Sequence, residues 1–321
     1  MVRTRFTANQ TIHEGDFAEF SVGAADAWKA PLLDASGHLD KTFFRGGSGA
    51  DGALTISSGT TTLDCAGAAS FVKNYTSISI TGTGKLAFIN PHANGTIIEL
   101  YSQTGITVTS SATPAIDASG MGASSTNKGR SNVSIDSNAG TAGGAGSGGG
   151  GAGAGGTGAA ATVGVHNGKT FVLACGAGGG TAGSTAGFGA SGGGGGGATL
   201  TTAGTAGGGG TAGSGSANPG GGGTGGNGGG ALYLECAGAY NVTGIISVAG
   251  LVGAVGSGAG HGGGGGGGGG SIIARYGTLT VDSGTYTVSG GAGGAGVANT
   301  GGVGGTGGAG ASGWSDRRLI A

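Results

Sequence analysis

The chain has 321 residues, 90 of them glycine, with only 8% charged residues and a formal net charge of −1. So balanced a charge gives no electrostatic footprint for nucleic acid, and no apolar run approaches the length of a membrane span. Four prolines and irregular glycine spacing exclude collagen, which needs glycine at every third position.

Residues 1–50 have the most ordinary composition. "TRFTANQTIHEGDFAEF" alternates weakly and predicts short strands. The N-terminus has no apolar core and no cleavage-like site, so no secretory signal is expected. "WKAPLLDASGHLDKTFF" follows, from Trp28 to Phe44, with a turn expected at Ser36–Gly37.

Residues 51–135 predict a run of strands separated by Gly, Asn and Ser. The segments are "ALTI", "TTLDC", "SFV", "SISIT", "KLAFI", "TIIELY" and "ITVTS". Most alternate with period two and carry β-branched residues. A spacing of roughly 8–12 residues fits a sandwich, a barrel or a solenoid.

Residues 136–321 hold 74 of the glycines, against 16 in residues 1–135. Strand-like copies interrupt the glycine. "GTIIELYSQTGITVTSS" from Gly95 compares with "GALYLECAGAYNVTGIISVAG" from Gly230 and with "GSIIARYGTLTVDSGTYTVSG" from Gly270. A shorter copy starts at Gly168. Repeats that cannot bury a face alone stack on one another. The expected fold is therefore all-β: a parallel β-solenoid of short strands with glycine-rich excursions packed as a polyglycine II helix bundle. A glycine run such as "HGGGGGGGGGS" (His261–Ser271) has only backbone groups to offer, and ordering glycine is entropically costly. Lateral hydrogen bonding between extended three-residue-per-turn helices would offset that cost. Flat β-stacking and a flexible loop are the alternatives.

The inventory for catalysis is thin. His13, His38, His92, His166 and His261 share no metal-ligand spacing, and Cys65, Cys175 and Cys236 form no C-x-x-C. Each cysteine follows a Leu-x pattern, which suits buried core positions; disulfide or metal use is the alternative. The acidic residues beyond 135 are Asp136, Glu235, Asp282 and Asp316, isolated in sequence, whereas polysaccharide cleavage needs converging carboxylates. No enzyme activity, cofactor or metal is expected. Phe188, Asn218, Pro219, Asn227, His261 and Asn299 interrupt glycine runs and are candidate receptor contacts or turn residues. The tail "GWSDRRLIA" reads as a strand or cap closing the last repeat, with a docking contact as the alternative.

Leu32, Leu33, Asp34, Ala35, Ser36, Gly37, Leu39, Asp40 and Phe43 form an apolar pair, "LDASG", "LD" and an aromatic. This motif resembles one common in bacteriophage tail fibres and related virion proteins. The glycine-rich half likewise resembles the polyglycine-helix tip domain of some phage tail-fibre adhesins, in composition and run length. The resemblance implies a virion tail protein that assembles in the cytoplasm and becomes extracellular on release. Residues 1–50 would attach it to other tail proteins through Leu32, Leu33, Asp34, Leu39, Asp40 and Phe43. Residues 136–321 would meet a host receptor, a glycan or an outer-surface protein, and a homo-oligomer is compatible with this. An architectural virion decoration or filament subunit, and an ice-binding protein with threonine-bearing strands, are the alternatives.

Overall fold

The computed structural model of the protein describes residues 46–125, 127, 129, 175–179, 195, 223–257, 261–299 and 312–319. It also describes short strands at 17–18, 30–31, 164–166, 169–171 and 302–303. Among these residues there is no helix. The fold is all-β, built on an eight-stranded and a five-stranded sheet, both parallel and neither closed into a barrel.

The strands fall into three stacks that the chain visits in turn. The first stack holds Ser70–Tyr75, Ile97–Ser102, residues 231–236, residues 271–276 and Trp314–Leu319. The second holds Ala53–Ile56, Ser77–Ile80, Ile106–Val108, and the ends of Ala231–Val242 and Ser271–Asp282. The third holds Thr60–Asp64, Lys85–Ile89, Ile116–Asp117, Ile245–Ser247 and Thr285–Thr287. Every neighbour within a stack is parallel. Ala231 pairs with Ile97, so the strand that follows Ile97–Ser102 in the first stack begins, in register, at Ala231. The predicted strand segments in residues 51–135 and the predicted copies from Gly230 and Gly270 thus share the same sheets.

Alternation decides which side chains face inward. Ser77–Ile80 buries Ile78 and Ile80, and Lys85–Ile89 buries Leu86 and Phe88. In-register stacking then lines up like with like. One inward column runs Phe71, Ile98, Leu232, Ile272, Ser315; another runs Ile56, Ile80, Val108, Val242, Asp282. Each large apolar side chain so buried contributes about 1.5–3 kcal/mol.

The middle levels of the first stack, Ile97–Ser102 and residues 231–236, are buried on both faces. Ile97, Tyr101, Ala231, Tyr233 and Ile273 form a second cluster with Cys175 on its outer side. This face explains a shift between the copies. The second and third copies align glycine to glycine, Gly230 with Gly270. In the first copy Thr96, not Gly95, precedes the residue paired with Ala231. Ile98 therefore occupies the core column and Ile97 the outer cluster, as a one-residue shift exchanges the two faces of a strand.

The three cysteines are buried and form no disulfide. They are not stacked on one another: Cys65 and Cys236 lie in the main core and Cys175 in the outer cluster. Burial pushes the Cys65 thiol up to about 12, with Asp64 adding to the shift. Burial likewise pushes Cys236 up to about 11.

Candidate functional site

Residues 223–230, 248–257, 261–270 and 288–297 run beside the strand stacks as extended glycine-rich segments. Their backbones bond laterally with a period of three. The N–H groups of Gly223, Gly226 and Gly229 donate to the carbonyls of Gly262, Gly265 and Gly268. Those of Gly250, Gly253 and Gly256 donate to Ser289, Ala292 and Ala295. Both of these pairs of segments are parallel. Gly264, Gly267 and Gly270 donate to Ala254, Leu251 and Val248, while Gly291 and Gly294 donate back to Gly267 and Gly264; these contacts are antiparallel. Gly268 reaches Ala177, and Gly195 donates to Gly266. The segment 262–270 is thus bonded to several neighbours at once, and all nine of its glycines are buried.

At six of these nine positions a Cβ would collide with a neighbouring backbone. A Cβ on Gly264 would lie 2.0 Å from the Thr224 carbonyl oxygen, on Gly267 2.0 Å from that of Asn227, and on Gly270 1.8 Å from that of Gly230. The next residues along, Gly263, Gly266 and Gly269, each face another backbone at 1.9 Å. The obstacles are main-chain atoms, and the carbonyls of Thr224, Asn227, Gly230 and Val288 accept hydrogen bonds, so they cannot rotate away as a side chain would.

The outer segments show the same period in their side chains. In 250–256, "GLVGAVG", the glycines are buried and Leu251, Val252, Ala254 and Val255 are exposed. In 289–295, Ser289, Ala292 and Ala295 are exposed. Val252 and Val255 are 63% and 57% accessible, and no acidic or basic residue occurs in these two segments. The result is a row of small and apolar groups, repeated every third residue, on a backbone whose glycines donate to neighbouring segments.

The sequence-predicted contacts fare differently. Asn227 is half-buried within the lattice, and its carbonyl accepts from Leu251. His261 is half-buried; its carbonyl accepts from Val297, and its Nδ1 lies 3.4 Å from Ser257 Oγ. Asn299 belongs to a short strand, Ala298–Asn299, paired antiparallel with Gly302–Val303. Phe188, Asn218 and Pro219 lie outside the described residues, as do Leu32, Leu33, Asp34, Leu39, Asp40 and Phe43. The exposed row of Leu251, Val252 and Val255 was not singled out by sequence, though its signal is the three-residue spacing of glycine in 250–256.

A second feature escaped the sequence. Glu99 and Glu235, far apart in the chain, come to adjacent strands on the outer face of the first stack, both fully buried. Tyr101 donates to Glu99 at 2.7 Å and Tyr233 to Glu235 at 2.6 Å, with the two rings 5.7 Å apart. The Gly46 N–H also donates to Glu235, and Ser70 Oγ lies 3.4 Å from Glu99. Burial and the Glu235 charge raise the Tyr233 phenol above its ordinary range. The knot carries hydrogen bonds from four directions and ties the chain entering at Gly46 to the strand at 231–236.

In one outward column hydroxyl side chains stack over three levels, Thr55, Ser79 and Thr107, before Asn241 breaks it. The tail forms the strand Trp314–Leu319, closing the first stack. No protein-family model, no curated protein and no solved structure matches the chain.

Proposed function

We propose that the chain is a non-catalytic tail-fibre or spike protein of a bacteriophage, and that its glycine-rich part binds the host surface. In this reading the three stacks are the faces of a parallel β-solenoid, and the lateral segments are polyglycine II helices. Three visits per turn, parallel in-register neighbours and the return at Ala231 support the solenoid. The three-residue hydrogen-bond period supports the helices, since that conformation has three residues per turn.

The observation that carries the binding role is the exposed row of Leu251, Val252, Ala254 and Val255 beside Ala292 and Ala295. A lattice whose stability comes from backbone bonds leaves its outward side chains free to vary, which suits a recognition surface. The "LLDASGHLD" motif supports placement on a virion tail, with residues 1–50 meeting other tail proteins.

Adsorption competition tests the reading. The purified full chain should label host cells and block phage adsorption. Val252→Glu/Val255→Glu should lose that block by tenfold or more, about 1.4 kcal/mol or more of binding, with the same melting temperature. Full blocking by the charged variant removes the binding role from this row.

A further inference from the structure

The two ends of the strand stacks differ in step. At one end the second and third stacks begin with Ala53–Ile56 and Thr60–Asp64, a turn before the first stack begins at Ser70. At the other end the first stack continues to Trp314–Leu319, a turn beyond residues 278–282 and Thr285–Thr287. Among the described residues, each of these terminal strands pairs with a single neighbouring strand; on the outer edge of Ser70–Tyr75, Asp51 also bonds both backbone groups of Asn74, leaving residues 70–73 as the open part of that edge. A second copy placed head to tail would set its Ala53–Ile56 beside 278–282, its Thr60–Asp64 beside Thr285–Thr287, and its Ser70–Tyr75 on Trp314–Leu319. The steps match. Leu54 would continue the column that ends in the exposed Leu279.

Two other columns do not continue so well. One runs Lys73, Leu100, Leu234, Ala274, Arg317, apolar in the middle and cationic at both ends. The other ends on Asp282, where Ile56 of the second copy would arrive. At one end Lys73 bonds Asp51 at 2.8 Å and lies over the Phe71 ring. At the other, Arg317 bonds Asp282 at 2.8 Å and covers the Tyr286 ring at 4.2 Å. Tyr286 donates to Asp282 and shares a hydrogen bond with the buried Tyr240. This polar plug spans the end of the core. Stacking a copy on it would bury an ion pair under Ile56 and place Lys73 directly over Arg317, and burying charges without new partners is costly. Inward-pointing charges are a known way of blunting sheet edges.

We infer that the stack ends are shaped to receive one another and that Lys73 with the Arg317–Asp282 plug keeps copies of the chain from stacking into filaments. The inference rests on the solenoid reading.

The experiment is sedimentation of the full chain over a hundredfold concentration range, with electron microscopy of the same samples. The wild-type mass should not grow with concentration. Asp282→Val/Arg317→Met should grow at least about twofold in weight-average mass, and adding Lys73→Met should produce linear stacks. Growth of the wild type, or folded variants that match the wild type, overturns the inference. Should the variants lose their circular-dichroism signal, Asp282→Asn/Arg317→Gln/Lys73→Gln, which removes the charges at similar side-chain size, replaces them; growth in mass there supports the inference and its absence in the folded protein overturns it. Thr107→Cys/Asn241→Cys separates the two readings. These outward residues are register partners, and neighbouring strands lie about 4.8 Å apart, within disulfide reach. A disulfide formed without stacking sinks the inference alone; no disulfide sinks the solenoid with it.

Discussion

The strand stacks and the glycine lattice solve the same problem by opposite means. Every buried backbone donor and acceptor must find a partner. In the stacks, side chains do the holding: Leu100, Leu232, Leu234 and Ile272 fill an interior, and strand hydrogen bonds follow. In the lattice the backbone does the holding, and a side chain pointing inward is an obstacle. Loss of atoms weakens the first region and gain of atoms weakens the second. The two meet at Gly270–Ser271, where Gly270 still donates to Val248 and Ser271 begins a strand.

The largest expected effect is on the stack side. Leu234→Ala removes a fully buried side chain and should cost about 2–5 kcal/mol, read as a drop in denaturant midpoint. Gly267→Ala should come next. It adds one methyl against a hydrogen-bonded carbonyl, and overpacking of this kind costs about 1–3 kcal/mol or more. Its loss of amide protection should centre on residues 223–229 and 288–295, not on the strands. Ala292→Ser, on the exposed side of the same lattice, should change stability by less than about 0.5 kcal/mol. Equal costs for Gly267→Ala and Ala292→Ser would break the comparison.

A pH dependence sharpens it further. Cys65 and Cys236 ordinarily ionise near 9.0 but are held neutral by burial, to about 12 and about 11. Their raised values stabilise the fold fully below 9, and this contribution is lost as pH rises toward those folded values, because the unfolded chain then releases protons that the folded chain keeps. The melting temperature should fall as pH rises from about 9 toward about 11, and Cys65→Ala/Cys236→Ala should lessen that fall. The cysteine-free lattice segments contribute nothing to it.

Much of the stack could be read in advance because alternation survives in sequence. "SISI" and "KLAFI" state which residues face inward, and both segments form strands with those faces buried. The first stack is harder. With Ile97 and Ile98 both apolar, the pattern cannot assign faces, and the outer cluster that buries the second face is not a local property. Glu99 and Glu235 were illegible for a related reason: a carboxylate normally marks an exposed position, and only the return at Ala231 brings their tyrosine partners together. In the lattice, the spacing in "GLVGAVG" and "GGAGGAG" carries the three-residue period on its face. "HGGGGGGGGG" carries none, since nine identical residues fix neither register nor neighbour. Those come from the segments around it.

Amide hydrogen exchange across Gly262–Gly270 tests the central claim most directly. If the run is an ordered lattice element, Gly264, Gly267, Gly268 and Gly270, whose N–H groups donate to Ala254, Leu251, Ala177 and Val248, should exchange at least about a hundredfold more slowly than free peptide. Exchange of all nine amides at the free-peptide rate would mean that the glycine run is a flexible loop, and the lattice would not exist.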